Sequence, residues 1–273
     1  GFTLPLQLGS RHNQRCDRIF SASALHDHVT SGKNAAVDTT PAHVVICGAG
    51  PGGASLALML ARRGVRVTLL ERHTDLGREF RGEWLNPSGR LVLEEMGLGP
   101  ALAELPSLTP AGATVYVNNK ELFTIRASDT DTGSDHLLVP QPALLRRMIE
   151  MAGGHEGFTF VQDVVVRDLL RADGRIVGVT GTCGNESGEW RGDLVVASDG
   201  RSSVLRRASE LKVAVDNKGA FDMLWFKATP PPDVDPELGY QFLQRHGTAF
   251  THPHPDGMHQ YGWAFLKGTY GEL

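Results

Sequence analysis

Gly48, Gly50 and Gly53 stand in the spacing G-x-G-x-x-G, and Glu71 follows them in the chain. Each residue type has a chemical reason to be there. Gly48 lets the chain turn tightly, Gly50 lets a pyrophosphate approach the backbone, and Gly53 lets a helix pack closely on a strand. A helix opening at Pro51 offers free N–H groups and a positive dipole end to phosphate oxygens. Glu71 lies about twenty residues beyond the first glycine, where a carboxylate accepts hydrogen bonds from ribose hydroxyls. The same charge repels a 2′-phosphate, so the bound adenosine is not expected to be that of NADP. These residues alone predict a dinucleotide site and leave FAD and NAD as alternatives.

The elements that must position them are legible around the turn. His43 to Cys47 is a short, β-branched apolar run bounded by Pro41 and glycine, which predicts a buried parallel strand. Ala54, Ala57, Leu58 and Ala61 share one helical face of mostly small residues, suited to close approach to a sheet. Gly64 ends that helix, and Val65 to Leu70 makes a second strand with Glu71 at its carboxyl end. A glycine spacing by itself is equally well explained by a turn. Strand, helix, strand and acid in register are not.

Bulk properties narrow the class. The 273 residues suffice for one large or two modest domains, and 41% hydrophobic with 21% charged content is that of a globular chain. A net charge of -4 gives no reason to expect a nucleic-acid partner. Cys16, Cys47 and Cys183 are widely spaced with no CxxC, which argues against a zinc site or disulfide framework and fits a reducing, cytoplasmic compartment. No apolar run is long enough to predict a membrane-spanning helix.

Residues 1–40 lack periodicity and predict a disordered extension. After Glu71, Asn86-Pro87 reads as the cap and first residue of a helix whose buried side is Val92, Leu93 and Met96. Arg81, in the preceding polar loop, is a candidate contact for a phosphate or flavin, because a fork of donors suits such groups. Asn118-Asn119 between two β-rich runs predicts a hairpin. Gln141 opens a helix with Leu145, Met148, Ile149 and Ala152 on one face. Val164–Leu170, Ile176–Thr182 and a run from Trp190 to Ala197 predict a three-stranded meander that returns the chain to an apolar strand, Leu194–Ala197. That run ends in Ser198-Asp199-Gly200, followed by a Ser-capped helix, a place where ligands sit in open α/β sheets. Phe221–Thr229, Tyr240–Leu243, Thr248–Thr251 and Gln260–Leu266 predict further strands, the last two joined by a proline-studded turn, His252 to Gly257.

With GAGPGG, LLER, FRGEWLNPSG, the helix after Gln141 and ASDGRSSVLRR in hand, the chain resembles the single-component, class A FAD-dependent monooxygenases typified by para-hydroxybenzoate hydroxylase. The R-G-E-x-L-x-P-x-G text is also similar to that of squalene-epoxidising relatives. The resemblance covers roughly residues 42 to 268 and implies an α/β fold. It implies an FAD-binding Rossmann-like domain over 41–208 with a three-stranded β-meander insertion, and the start of a substrate-binding β-sheet over 209–273.

The resemblance further implies that Gly48, Ala49, Gly50, Pro51, Gly52 and Gly53 carry the FAD pyrophosphate, and that Glu71 and Arg72 serve the adenosine. Arg81 and Gln141 would contact the flavin or its ribityl arm, Val166 the adenine through its backbone, and Asp199-Gly200 the FAD and a passing nicotinamide cofactor. The implied reaction consumes NADH or NADPH and O₂. It hydroxylates or epoxidises an aromatic or other apolar small molecule through a flavin hydroperoxide, with no catalytic base identified. The family's third motif, a Gly-Asp following the substrate sheet, is absent; Gly192-Asp193 precedes the Asp-Gly motif instead. The resemblance therefore implies a chain cut short at its carboxyl end. A related flavoprotein reductase or halogenase, and a non-catalytic FAD-binding fragment, are the alternatives.

Overall fold

The computed structural model describes residues 42–77, 84–129, 136–214, 219–245 and 247–272. The predicted extension over residues 1–40 and the Arg81 site lie outside them. In chain order the elements begin with β1 (His43–Cys47), α1 (Pro51–Ala61), β2 (Arg66–Leu70), β3 (Trp84–Leu85), α2 (Pro87–Glu95) and α3 (Gly99–Glu104). They continue with β4 (Gly112–Val117), β5 (Lys120–Arg126), β6 (Leu137–Leu138), α4 (Gln141–Gly153), β7 (Phe158–Val161), β8 (Val164–Ala172) and β9 (Arg175–Cys183). The remainder is β10 (Glu186–Arg191), β11 (Leu194–Ala197), α5 (Val204–Ala208), β12 (Phe221–Ala228), β13 (Leu238–Gln244), β14 (Gly247–Pro253) and β15 (His259–Leu266). No helix among the described residues is long and apolar enough to cross a membrane.

The described residues fall into two compact units, the first within Gly1–Leu76 and Leu145–Lys212, the second within Gly77–Leu144 and Val213–Leu273. In the first unit β11, β1, β2 and β7 form a parallel sheet in that order. All-parallel strands must be covered on both faces, which is why β1 reads as a continuous apolar run rather than an alternating one. The antiparallel sheet β10-β9-β8 supplies part of that cover. Its Val164, Val179, Cys183 and Trp190 form one core with Val45, Cys47, Leu70 and Val161 of the parallel sheet and Leu205 of α5. Full burial of each large side chain there contributes about 1.5–3 kcal/mol. Cys47 is a free thiol, pushed up to about 12 by burial first and by the Asp199 charge second, so it is inert packing at neutral pH.

Three local expectations differ from the structure. The run from Trp190 to Ala197 is two strands, because Gly192 and Asp193 break it: the Gly192 N–H donates to Val177, and the Asp193 carboxylate accepts from the His43 N–H at 2.7 Å. Val92 is 53% exposed, whereas Leu93 of α2 and Met96 at its C-cap are buried as expected. The third concerns the hairpin β4–β5, placed on sequence within the 41–208 domain. Its Asn118 and Asn119 do turn at positive φ (49° and 64°), as a two-residue loop requires. However, β4 pairs in parallel with β13, from Gly112 opposite Leu238 to Val117 opposite Leu243. The hairpin therefore extends a six-stranded sheet, β12-β15-β14-β13-β4-β5, that carries the second unit.

β14 runs on through His252 and Pro253, so the turn joining it to β15 begins at His254, two residues later than the sequence suggests, and both His252 and His254 are buried. His252 titrates below the ordinary histidine value of 6.5, chiefly through burial, with the neighbouring His254, His259 and Lys227 acting against its charged form. A histidine with a depressed folded pKa binds fewer protons folded than unfolded. Its stabilising contribution is present above the unfolded value and is lost as pH falls from there toward the folded value. Urea midpoints measured from pH 7.5 to 5.5 should therefore decline with acidity, and His252→Gln should flatten the decline. A decline unchanged in His252→Gln would remove this histidine from the account.

Candidate dinucleotide site

The glycine turn sits at the carboxyl end of β1, between the ends of β2 and β11. The Gly48 N–H donates to Leu70 O at 2.7 Å, and the Ser198 N–H donates to Cys47 O at 2.9 Å, so both neighbouring strands close on the turn. Space there excludes side chains. Gly48 has φ +102°, and a Cβ on it would lie 2.3 Å from Ser198 O; a Cβ on Gly53 would lie 1.9 Å from Gly48 O. Only glycine meets both demands, of conformation at Gly48 and of contact at Gly53. Gly52 differs, since a Cβ there would meet only Ser198 Oγ at 3.5 Å, an ordinary contact.

Pro51 and Gly52 face solvent and open α1, whose N-cap Gly50 is extended and makes no side-chain capping bond. The amino end of an eleven-residue helix is thus presented with glycine and proline around it and no side chain closing it. Orphan N–H groups at such an end take an anion readily. Glu71 is 1% exposed; its Oε2 accepts from the Ala49 N–H at 2.8 Å and its Oε1 from the His73 N–H at 3.1 Å. The carboxylate therefore ties the end of β2 to the turn. The main chain of Glu71 also bridges onward, donating to Val161 O and accepting from the Val164 N–H, both at 2.9 Å.

Asp199 lies beyond Ser198 and serves first as a helix cap. Its Oδ2 accepts from the Val204 N–H at 2.7 Å and the Leu205 N–H at 3.2 Å, while the Ser203 hydroxyl donates to Oδ1. Ser203 is the N-cap of α5 and accepts from the Arg206 N–H at 3.0 Å. Gly200 has φ +82° with open space around its α-carbon. The guanidinium groups of Arg206 and Arg207 donate to the backbone oxygens of Arg201 and Ser202.

The structure thus brings Gly48 to Gly53, Glu71 and the Ser198-Asp199-Gly200 segment together at one end of one sheet. Arg72 is exposed beside them, its Nε donating to His73 Nε2 at 3.0 Å. Val166 packs against the core of the same unit and pairs with Gly181 next to an irregularity in β8. Gln141 is buried at the first position of α4 and belongs to the second unit. Ser198 is the contact that sequence reasoning did not single out. Its only signal was adjacency to Asp199, because the pairing of β11 with β1 spans about 150 positions and leaves no local pattern. A cavity of about 760 Å³ in this unit, lined by Thr180, Ser187 and Trp190 among others, lies along β9 and β10 and not at the turn.

The observations suit a dinucleotide diphosphate: an uncapped helix end, a cradle that a Cβ would fill, and a buried acid at the end of the adjoining strand. Comparison with known proteins agrees. A model of the FAD binding domain matches residues 41–263. The 6-methylpretetramide 4-monooxygenase of Streptomyces rimosus is 32% identical over 193 residues, 70% of this chain and 46% of its own length. Squalene monooxygenase 1,2 of Brassica napus is 31% identical over 172 residues, 60% of this chain and 32% of its own. Among solved structures, P. aeruginosa PqsL in complex with 2-aminobenzoylacetate superposes with a TM-score of 0.70 at 25% identity, over 86% of this chain and 63% of that one. The chain spans less than half the length of these curated relatives. With the matched model covering most of its residues, the chain belongs to the FAD-binding-domain family of class A flavoprotein monooxygenases.

Proposed function

We infer that Gly48 to Gly53 hold the diphosphate of FAD, that Glu71 receives its adenosine ribose, and that the protein is a monooxygenase of small aromatic or other apolar molecules. The observation that carries this reading is the amino end of α1, left without a side-chain cap and backed by the buried Glu71 carboxylate. When bound, FAD supplies the redox chemistry, taking reducing equivalents from NADH or NADPH and activating O₂ for transfer of one oxygen atom. The residues of this chain do the holding. Gly48 and Gly53 keep the turn open to a diphosphate, and the first-turn amides of α1 donate to it. Glu71 accepts ribose hydroxyls at its carboxylate. Arg72 and the backbone of Val166 flank the adenine, Arg81 and Gln141 meet the flavin end, and Asp199-Gly200 lies beside the diphosphate.

The test is reconstitution of the purified chain with FAD, followed by absorbance in the flavin bands after gel filtration. A retained, spectrally shifted flavin is expected, with oxygen consumption driven by NADH or NADPH and raised by aromatic candidates. A chain that stays colourless at saturating FAD would sink the reading. Reduction of an alkene without oxygen uptake would turn it toward a reductase.

A further inference from the structure

A crevice at the far end of the parallel sheet from the glycine turn gathers positive charge that the dinucleotide site does not use. His43 opens β1, whereas Gly48 follows its last residue, so the length of the strand separates the two. The crevice has a volume of about 560 Å³ and lies within the first unit, among the first residues of β1 and β2, the β8–β9 turn and the end of β10. Arg66 of β2, Arg175 of β9 and Arg191 of β10 all line it, and each is exposed.

The frame around it is closely packed. The Gly192 N–H donates to Val177 O at 3.0 Å and the Asp193 N–H to His43 O at 2.8 Å. A Cβ on Gly192 would stand 2.9 Å from that same His43 oxygen, so the link between β10 and β11 is pressed onto the start of β1. The Arg66 stem lies over Gly157, where a Cβ would come within 3.2 Å of its Cγ. His43 spends Nε2 on Thr68 Oγ1 at 2.9 Å, which leaves Nδ1 uncommitted among the described residues.

The charge is unbalanced. Two carboxylates share the lining, Asp173 and Asp193, but Asp193 Oδ2 already accepts from the His43 N–H at 2.7 Å. Arg191 meets Glu189 of its own strand at 2.8 Å, with both side chains at least half exposed, so water screens that pair and it contributes little. His43 senses the excess. It titrates below the ordinary histidine value of 6.5, through burial first and the Arg66 charge second, with Asp193 acting the other way. Guanidinium forks gathered in this way suit a tetrahedral oxyanion, which takes paired N–H donors from more than one of them. The volume exceeds that of such an ion alone and leaves room for a small organic body attached to it.

We propose that this crevice binds a phosphate group, free or at the end of a phosphomonoester, through Arg66, Arg175 and Arg191, with His43 Nδ1 as a further donor. The anion ties β1 and β2 to the β10-β9-β8 sheet and so steadies the unit on which the dinucleotide turn is built. The site stands apart from the flavin reading and does not depend on it.

The probes are inorganic phosphate, glycerol 3-phosphate and glycerol, added to the full chain at an ionic strength held constant with chloride. The signal is the His43 imidazole resonance in NMR pH titrations, assigned by its absence in His43→Gln, because phosphate held only at the glycine turn would leave it unmoved. Both phosphate probes should move the His43 titration upward, and glycerol should not. Tighter binding of the ester than of inorganic phosphate assigns the site to phosphomonoesters, and equal binding assigns it to free phosphate. Arg175→Gln should weaken either anion at least about tenfold. It should leave the melting temperature of the anion-free chain unchanged, since the residue is exposed. Arg175→Lys, which keeps the charge without the fork, should recover part of the affinity. Phosphate should raise the melting temperature of the wild type more than that of Arg175→Gln. A His43 titration that phosphate leaves in place, a shift that chloride alone reproduces, or undiminished binding in folded Arg175→Gln would overturn the proposal.

Discussion

Gly53→Val will give a chain that unfolds at markedly lower urea and retains no flavin, whereas Gly52→Ala, one residue earlier, will fold. The two positions share a helix and a motif, yet the space around them differs. A Cβ at Gly53 would stand 1.9 Å from Gly48 O, a backbone atom fixed by the end of β1, so relief requires moving α1 off the sheet. Overpacking against backbone costs about 1–3 kcal/mol for modest insertions, and a branched side chain here belongs at or above the top of that range. At Gly52 the nearest neighbour is Ser198 Oγ at 3.5 Å, and the residue faces solvent at the start of α1. Replacing glycine by alanine inside a helix stabilises by about 0.5–1 kcal/mol where the backbone permits it. Gly52→Ala should therefore fold as well as the wild type, and any weakening of FAD binding it shows reports the approach of the diphosphate. Urea denaturation and flavin titration separate the two effects. Equal stability of Gly53→Val and wild type would mean that the close contact between helix and turn is not the one described.

That contrast also indicates why part of this protein could be read from its sequence. The first strand, turn, helix and second strand are contiguous, so their periodicities, Gly64 and Glu71 lie within some thirty residues, and local physics fixes each. The α4 face was legible for the same reason: Leu145, Met148, Ile149 and Ala152 recur at helical spacing and are all buried. Long-range pairing was not legible. Nothing near Gly112–Val117 announces that the hairpin will align with Leu238–Leu243, and nothing near Ser198 announces that its carbonyl will face Gly48. Val92 was misread because Leu91, Val92 and Leu93 are consecutive on a short helix and so do not define a face; Leu93 turns inward with Met96, and Leu91 and Val92 are left outward. The positively charged crevice was hidden for a further reason. Arg66, Arg175 and Arg191 come from three strands of two sheets and meet only through the fold, which a single sequence does not display.

Asp199→Ala will lower stability by about 2–4 kcal/mol, and Asp199→Asn by much less, because the carboxylate acts on α5 before it acts on any ligand. Oδ2 takes two of the first amides of α5, from Val204 and Leu205, and Oδ1 takes the Ser203 hydroxyl, which in turn caps Arg206. Alanine removes two acceptor oxygens and the three hydrogen bonds they take, and leaves amides at a part-buried helix start without that partner. Asparagine keeps an oxygen for the two amides and turns an amide N–H toward Ser203 Oγ, which has lone pairs to accept it. Fold and cofactor binding then come apart in a testable way. If Asp199 serves FAD only by holding α5 and the Ser198 segment in place, flavin affinity should follow stability and survive in Asp199→Asn. If its charge meets the cofactor or the passing nicotinamide directly, Asp199→Asn should lose affinity while remaining folded. The Cys47 thiol gives an internal check, since Asp199 is the second cause of its elevation after burial. Asp199→Asn should make Cys47 modestly easier to alkylate at high pH without exposing it, whereas Asp199→Ala should expose it outright if the core beneath α5 opens. Leu205, 2% exposed in that core, is the residue through which such an opening would pass. An Asp199→Ala protein as stable as the wild type, with Cys47 still inert, would show that α5 is held by something other than this carboxylate.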